Sequence, residues 1–164
     1  MKARYFYLIA LAVVVLDQLS KLSVVSRLPF GRSVPVIDGL VHITAVRNPG
    51  GAFGLFQSWA GLLTLITIAV VAAIVILVRR AALRRIPAFV GIALALQLGG
   101  AVGNLIDRVR FNYVVDFIDL RVWPVFNLAD SAITVGIVLL AYYLLFCDRR
   151  RGTDAARSGG PEKG

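Results

Sequence analysis

Residues 86–108 read IPAFVGIALALQLGGAVGNLIDR, an apolar run from Ile86 to Ile106 that closes on Asp107 and Arg108. A helix needs roughly 20 predominantly apolar residues to cross a bilayer, and this run supplies them. Within it Gln97, Gly100, Asn104, Asp107 and Arg108 follow three- and four-residue steps, so they share one helix face. An amide or carboxylate turned toward hydrocarbon goes unsatisfied, which directs that face to a protein interior or a wet pocket.

Working outward, three more apolar runs give expected spans at about residues 5–22, 59–78, 86–106 and 129–147. With 59% hydrophobic and 16% charged residues, the composition is that of an α-helical membrane protein with four transmembrane helices. Lys2 and Arg4 before the first run imitate a secretory leader, but no small-residue cleavage site follows, so it is read as a span. The expected organisation is one membrane-embedded domain over 1–148 and a basic, disordered cytoplasmic tail over 149–164.

Charge sets the topology. If both termini and the loop from Arg79 to Arg85 share a side, that side holds 11 of the 18 basic residues and three of the nine acids. By the positive-inside rule both termini are cytoplasmic. The formal charge of +9 is therefore a topology signal whose partner is anionic membrane lipid, not nucleic acid. The single Cys147 excludes an internal disulfide, and the single His42 excludes a multi-histidine metal site; neither metal nor organic cofactor is expected.

Helix rise then assigns heights. Asp130 lies 19 residues before Arg149, or roughly 28 Å, and Asn104 lies 19 after Arg85, so both reach the outer surface. Lys21, 17 residues after Arg4, comes to roughly 26 Å. Asn127, Asp130, Ser131 and Thr134 form a second polar stripe, and Asp17 with Lys21 an i, i+4 pair. Three helices thus deliver polar groups to one level, which implies a shared pocket. Simpler readings stand beside this one. Asp17 with Lys21, and Asp107 with Arg108, read as structural ion pairs; Asp130 reads as an N-cap of the last span; Gly99, Gly100 and Gly103 read as close helix packing.

Two outer segments complete the chain. Val41, Ile43 and Ala45 alternate with His42 and Thr44 after an Asp38-Gly39 turn, which predicts a small extracytoplasmic sheet with His42 on its polar face. Such a sheet can take up an extended peptide as an added strand. The run from Val46 to Gly54 is a glycine-rich turn in which Asn48 is placed to offer its amide to a substrate. The second segment, Arg110 to Leu128, carries Phe111, Tyr113, Phe117, Trp123 and Phe126 and reads as an interfacial loop. Asp116 and Asp119 both lie in it, and position alone does not choose between them as the partner of Asp130.

Five stretches in order, Asp17-Gln18-Leu19-Ser20-Lys21, Arg47 to Phe53, Gly99 to Arg108, Val114-Val115-Asp116-Phe117 and Phe126 to Ala132, resemble the lipoprotein signal peptidases, the type II signal peptidases of bacteria. The resemblance implies a four-helix aspartyl peptidase of the cytoplasmic (inner) membrane, acting as a monomer near the outer face without a cofactor. It implies a prolipoprotein substrate carrying a diacylglyceryl-modified cysteine, cleaved just before that residue. It places the catalytic pair on Asp116 and Asp130, site-supporting or substrate-binding residues on Asn48, Gly100, Asn104, Arg108 and Asn127, and a structural pair on Asp17 and Lys21. Asn104 and Asn127 are expected to orient the substrate backbone. Gly51 and the ten residues between Asp116 and Asn127 depart from the family pattern and imply an abbreviated loop over the site.

Two other classes remain to be weighed. A proton-coupled transporter or channel subunit places its acids along the full depth of the membrane, whereas these cluster at one level. A serine-lysine peptidase would use Ser20 and Lys21, but adjacent helix residues point about 100° apart.

Overall fold

The computed structural model describes residues 1–50, 60–80 and 86–147. The expectations for Gly51, for the arginines at 84 and 85 and for the tail at 149–164 lie outside the described residues. The four apolar runs are helices α1 (Ala3–Arg27), α2 (Ala60–Arg80), α3 (Ala88–Phe111) and α4 (Leu128–Tyr142), the last continued by a π-helical turn, Tyr143–Cys147. Among the described residues these four are long and apolar enough to cross a membrane. They overrun the expected spans by a few residues, chiefly at α1 and α3, where Arg27 and Arg110 lie in the last turn and favour its dipole.

α3 is the hub, with 56% of its most apolar window inside the protein against 11–17% for the others. Its small residues explain this. A Cβ on Gly99 would lie 2.6 Å from the Ala10 carbonyl oxygen of α1, and one on Gly100 would collide with the Ala129 carbonyl oxygen of α4. The expected close packing at these glycines is therefore what brings both α1 and α4 against α3. At the end where α1 begins and α2 finishes, Phe6, Ala10, Ile74, Val78, Leu94, Ala95 and Leu98 form an apolar core. Every buried charged side chain among the described residues lies at the opposite end.

That opposite end carries a three-stranded antiparallel sheet, ordered β1 (Ser33–Ile37), β2 (Val41–Asn48), β3 (Val114–Asp119). β1 and β2 form the expected hairpin, with Gly39 at φ +71 in its turn, a left-handed conformation that favours glycine. His42 is buried, 9% exposed, on β2. β3 corrects the reading of 110–128 as a loop throughout. Four consecutive residues, Val114 to Phe117, are buried, so the strand lacks the alternation that marks a half-exposed one. Asn112, left-handed at φ 59, ends α3 and turns the chain into β3. Val46 of β2 pairs with Asp116 of β3, and Asn48 pairs with Val114. Arg47 stacks 4.3 Å from the Phe30 ring and 5.3 Å from that of Tyr113, which ties the sheet to the ends of α1 and α3.

Overpacking a close helix contact costs about 1–3 kcal/mol. Gly99→Val is therefore expected to lower the melting temperature in detergent by several degrees. Gly61→Val, where an added Cβ meets nothing within 4 Å, is expected to leave it near the wild-type value.

Candidate active site

α4 begins at Asn127, which caps it: the Asn127 Oδ1 accepts from the Asp130 amide at 2.9 Å, and the Asp130 Oδ2 accepts from the Asn127 amide at 3.3 Å. This capping box corrects the reading of Asp130 as the cap, because Asp130 is the third residue of the helix and Asn127 holds the capping position. The same asparagine reaches sideways, its Nδ2 donating to the Asp116 Oδ1 at 2.7 Å. Asn127, itself fully buried, thus bonds to both acids of the expected pair, one on β3 and one on α4.

Two more amides complete the arrangement. Asn48 Nδ2 donates to the Asp116 Oδ2 at 2.7 Å, and Asn104 Nδ2 donates to the Asp130 Oδ1 at 2.7 Å. Asn48, Asn104 and Asn127 therefore spend their amides on the carboxyl groups. In this structure all three bond to the acids. Gly100 contributes space, letting the start of α4 lie against α3.

Beneath the pair lies a buried ionic cluster. The Lys21 ammonium sits 2.9 Å from the Asp17 carboxylate, 3.0 Å from Asp107 and 3.0 Å from the Asn104 Oδ1. Asp17 with Lys21 is the structural pair expected from the sequence. Asp107 corrects its reading, since it pairs with Lys21 and not with Arg108, whose Nη1 donates to the Thr67 hydroxyl at 3.2 Å. Adjacent residues on a helix diverge, so Asp107 faces α1 while Arg108 faces α2. The Asp17 Oδ1 accepts from the Ala129 amide and the Asp107 Oδ2 from the Val115 amide, each at 3.0 Å. Those amides belong to the residues immediately before Asp130 and Asp116.

Gln18, to which the sequence assigned no role of its own, joins this cluster. Its Nε2 bridges Asp107 at 3.0 Å, Asp17 at 3.2 Å and the Gly103 carbonyl at 3.2 Å. The signal was an amide beside an acid inside an apolar run. Ser20 bonds the Asp17 carbonyl at 2.8 Å, away from the Lys21 ammonium in its ionic cluster.

Asp116 is 1% exposed, and burial pushes its carboxyl up to about 7. The Asn48 amide opposes that rise, the charge of Asp130 adds to it, and Asn127 and Lys21 oppose it. Asp119 has the contrary environment. The Thr44 hydroxyl, donating at 2.7 Å, holds its carboxyl below the ordinary range against the effect of burial, helped by the Arg121 amide at 2.9 Å.

Asp116 and Asp130 line one cavity of about 250 Å³ together with Asn48, Asn104, Arg108 and the segment from Trp123 to Phe126. Two apolar grooves meet it at Asp130. One, about 330 Å³, runs between α2, α3 and α4 past Ile66, Val70, Gln97 and Ile137; the other, about 440 Å³, runs past Leu120, Trp123, Thr134 and Val135. Among the described residues no three His, Cys, Asp or Glu side chains converge as a metal site would require.

Fold and site together define a polytopic membrane protein built around a hydrogen-bonded carboxyl pair at one end of its bundle. Two solved structures share the fold. One, a bacterial membrane enzyme determined by the in meso method at 2.3 Å resolution, superposes with a TM-score of 0.78 at 32% identity, covering 99% of this chain and 96% of that one. The second, determined the same way at 1.9 Å, gives a TM-score of 0.78 at 36% identity over 88% and 94% of the chains. The family model described as signal peptidase (SPase) II matches residues 9–146. The lipoprotein signal peptidase of Moorella thermoacetica is 47% identical over 152 residues, 91% of this chain and 98% of that protein. That of Geobacillus thermodenitrificans is 47% identical over 149 residues, 88% and 92% respectively. The chain belongs to the signal peptidase II family, and it is a multi-pass membrane protease.

The Asp116 carboxyl is expected to be protonated below and ionised above about 7. Its infrared carbonyl band, assigned by its loss in Asp116→Asn, should disappear as pH rises through that value. In Asp130→Asn the neighbouring charge is gone, so the midpoint should move lower. A wild-type midpoint near the ordinary carboxylate range of about 4 would contradict the burial argument.

Proposed function

We propose that this chain removes the signal peptide from prolipoproteins by aspartic chemistry, with Asp116 and Asp130 hydrolysing the peptide bond before a diacylglyceryl-modified cysteine. The observation that carries the reading is Asn127, hydrogen-bonded to both carboxyl groups where they line one cavity. Two carboxyl groups so placed do not both ionise readily, so one retains a proton while the other acts as base. The base takes a proton from a water held between them. The water attacks the scissile carbonyl while the protonated acid donates its proton to the developing oxyanion. The other carboxyl group then passes the proton it took from water to the departing amine nitrogen as the C–N bond breaks, and the tetrahedral hydroxyl returns its proton to the first carboxylate. No metal enters these steps.

The asparagine amides fix both carboxyl groups before substrate arrives, which is how positioning lowers the barrier. The Arg108 guanidinium lines the same cavity and offers positive potential to the oxyanion. The apolar grooves flanking Asp130 suit the two hydrophobic parts of the substrate, the lipid and the signal helix. The distribution of basic residues supports cytoplasmic termini, and with them a carboxyl pair near the outer face of the bacterial inner membrane. A proton pathway is disfavoured because the end of the bundle holding the apolar core has no buried ionisable group among the described residues.

Asp116→Asn and Asp130→Asn, assayed in detergent on diacylglyceryl-modified prolipoprotein, are each expected to lower kcat by about 10³-fold or more while leaving the fold intact. Cleavage should survive a chelator in the same assay. Near-wild-type turnover by either variant would eliminate the pair, and loss with chelator would reinstate a metal.

A further inference from the structure

Gln97 is a polar side chain that the hydrolysis does not use. Its Nε2 is buried and has no hydrogen-bond partner among the described residues. It lies on α3 where Gly136 brings α4 close: a Cβ on that glycine would sit 2.7 Å from the Gln97 Cγ. The side chain lines the groove between α2, α3 and α4 that ends at Asp130 and Arg108. The other polar groups of that wall are occupied. Thr67 donates to the Leu63 carbonyl at 2.7 Å and accepts from Arg108, and Asn104 bonds to Lys21, Asn127 and Asp130. An amide N–H left unpaired in an apolar setting costs about 1–3 kcal/mol, a cost that a ligand acceptor in the groove would remove.

Distance selects the acceptor. Gln97 is seven residues before Asn104, so its backbone lies about 10 Å along the helix from the level of the carboxyl pair. In a substrate whose cysteine carries a diacylglyceryl thioether, eight bonds separate the scissile carbonyl carbon from the nearer ester carbonyl carbon. At the rise per bond of an extended chain they span about 9–10 Å. Acyl chains themselves contain no acceptor, so an ester carbonyl is the lipid group able to satisfy the amide at that level.

We propose that Gln97 is a specificity-determining residue, its Nε2 donating to an ester carbonyl of the substrate's diacylglyceryl group in the α2–α3–α4 groove. The soft terminal torsion of glutamine lets the amide swing from the α4 side into the groove when the lipid enters. This rests on the hydrolytic reading above and deepens it, since it names the lipid feature that is recognised.

The test uses the full-length enzyme in detergent with two synthetic lipopeptides identical except that one carries a diacylglyceryl thioether and the other its dialkyl ether, which lacks carbonyls. The wild type should favour the ester in kcat/KM by about tenfold, the equivalent of about 1.4 kcal/mol. Gln97→Met should bring the ratio close to one, mainly by raising KM for the ester while kcat changes little. A wild-type ratio near one would overturn the proposal whether or not the variant folds. An unchanged ratio in the variant, including an equal loss on both substrates, would assign Gln97 a packing role instead. Asp116→Asn on the same ester substrate separates the two claims: persistent cleavage there defeats the carboxyl pair, whatever the ester preference shows.

Discussion

One ammonium group, that of Lys21, lies within 3.0 Å of two carboxylates and an amide oxygen in a bundle whose other end is apolar. Removing one partner from a buried ion cluster typically costs 3–5 kcal/mol, because the charge left behind is uncompensated. Asp17 and Asp107 would repel one another without the lysine, and Gln18 alone would be left to bond α1 to α3 at this height. Gln18 and the two backbone amides supply the remaining donors, so each carboxylate is satisfied several times over.

The cluster matters for the chemistry because of what its carboxylates hold. Asp17 fixes the amide of Ala129 and Asp107 fixes that of Val115, the residues just before Asp130 and Asp116. Lys21 therefore sets where the two acid-bearing elements, β3 and the first turn of α4, stand relative to one another. Asn104 joins the layers, accepting from Lys21 through its oxygen and donating to Asp130 through its nitrogen. From the ammonium outward, the order is ion cluster, backbone amides, asparagines, carboxyl pair. The outermost carboxyl groups face the cavity, and burial of Asp116 there favours its protonated form. A hydrogen-bonded base thus supports the two carboxyl groups, and that of Asp116 is brought to about 7.

Much of this was legible in the sequence where the signal was periodic or additive. The four apolar runs announced four helices, and counting rise placed Lys21, Asn104 and Asp130 at one level, where the structure joins them by hydrogen bonds. The glycines of α3 announced close packing and deliver it. What failed depended on facing across chain-distant elements. Asp107 and Arg108 are neighbours in sequence, so they read as a pair, yet a helix turns them toward different partners. β3 was hidden because burial on both faces erased the alternation that marked β2. The engagement of the three asparagine amides by the carboxyl groups was hidden too, because nothing local in the sequence shows it. Asp116 was distinguished from Asp119 in the sequence only through a family resemblance. In three dimensions Asp119 bonds to Thr44 and Arg121, while Asp116 bonds to Asn48 and Asn127 and lines the cavity with Asp130.

The most direct measurement is an experimental structure of this protein with a peptide mimic that places a tetrahedral hydroxyl at the scissile position. Both the Asp116 and Asp130 carboxyl groups are expected within about 2.6–3.2 Å of that hydroxyl, with Asn127 still bonded to each acid. A hydroxyl bound to one acid alone, with the other turned away from the cavity, would contradict the paired mechanism.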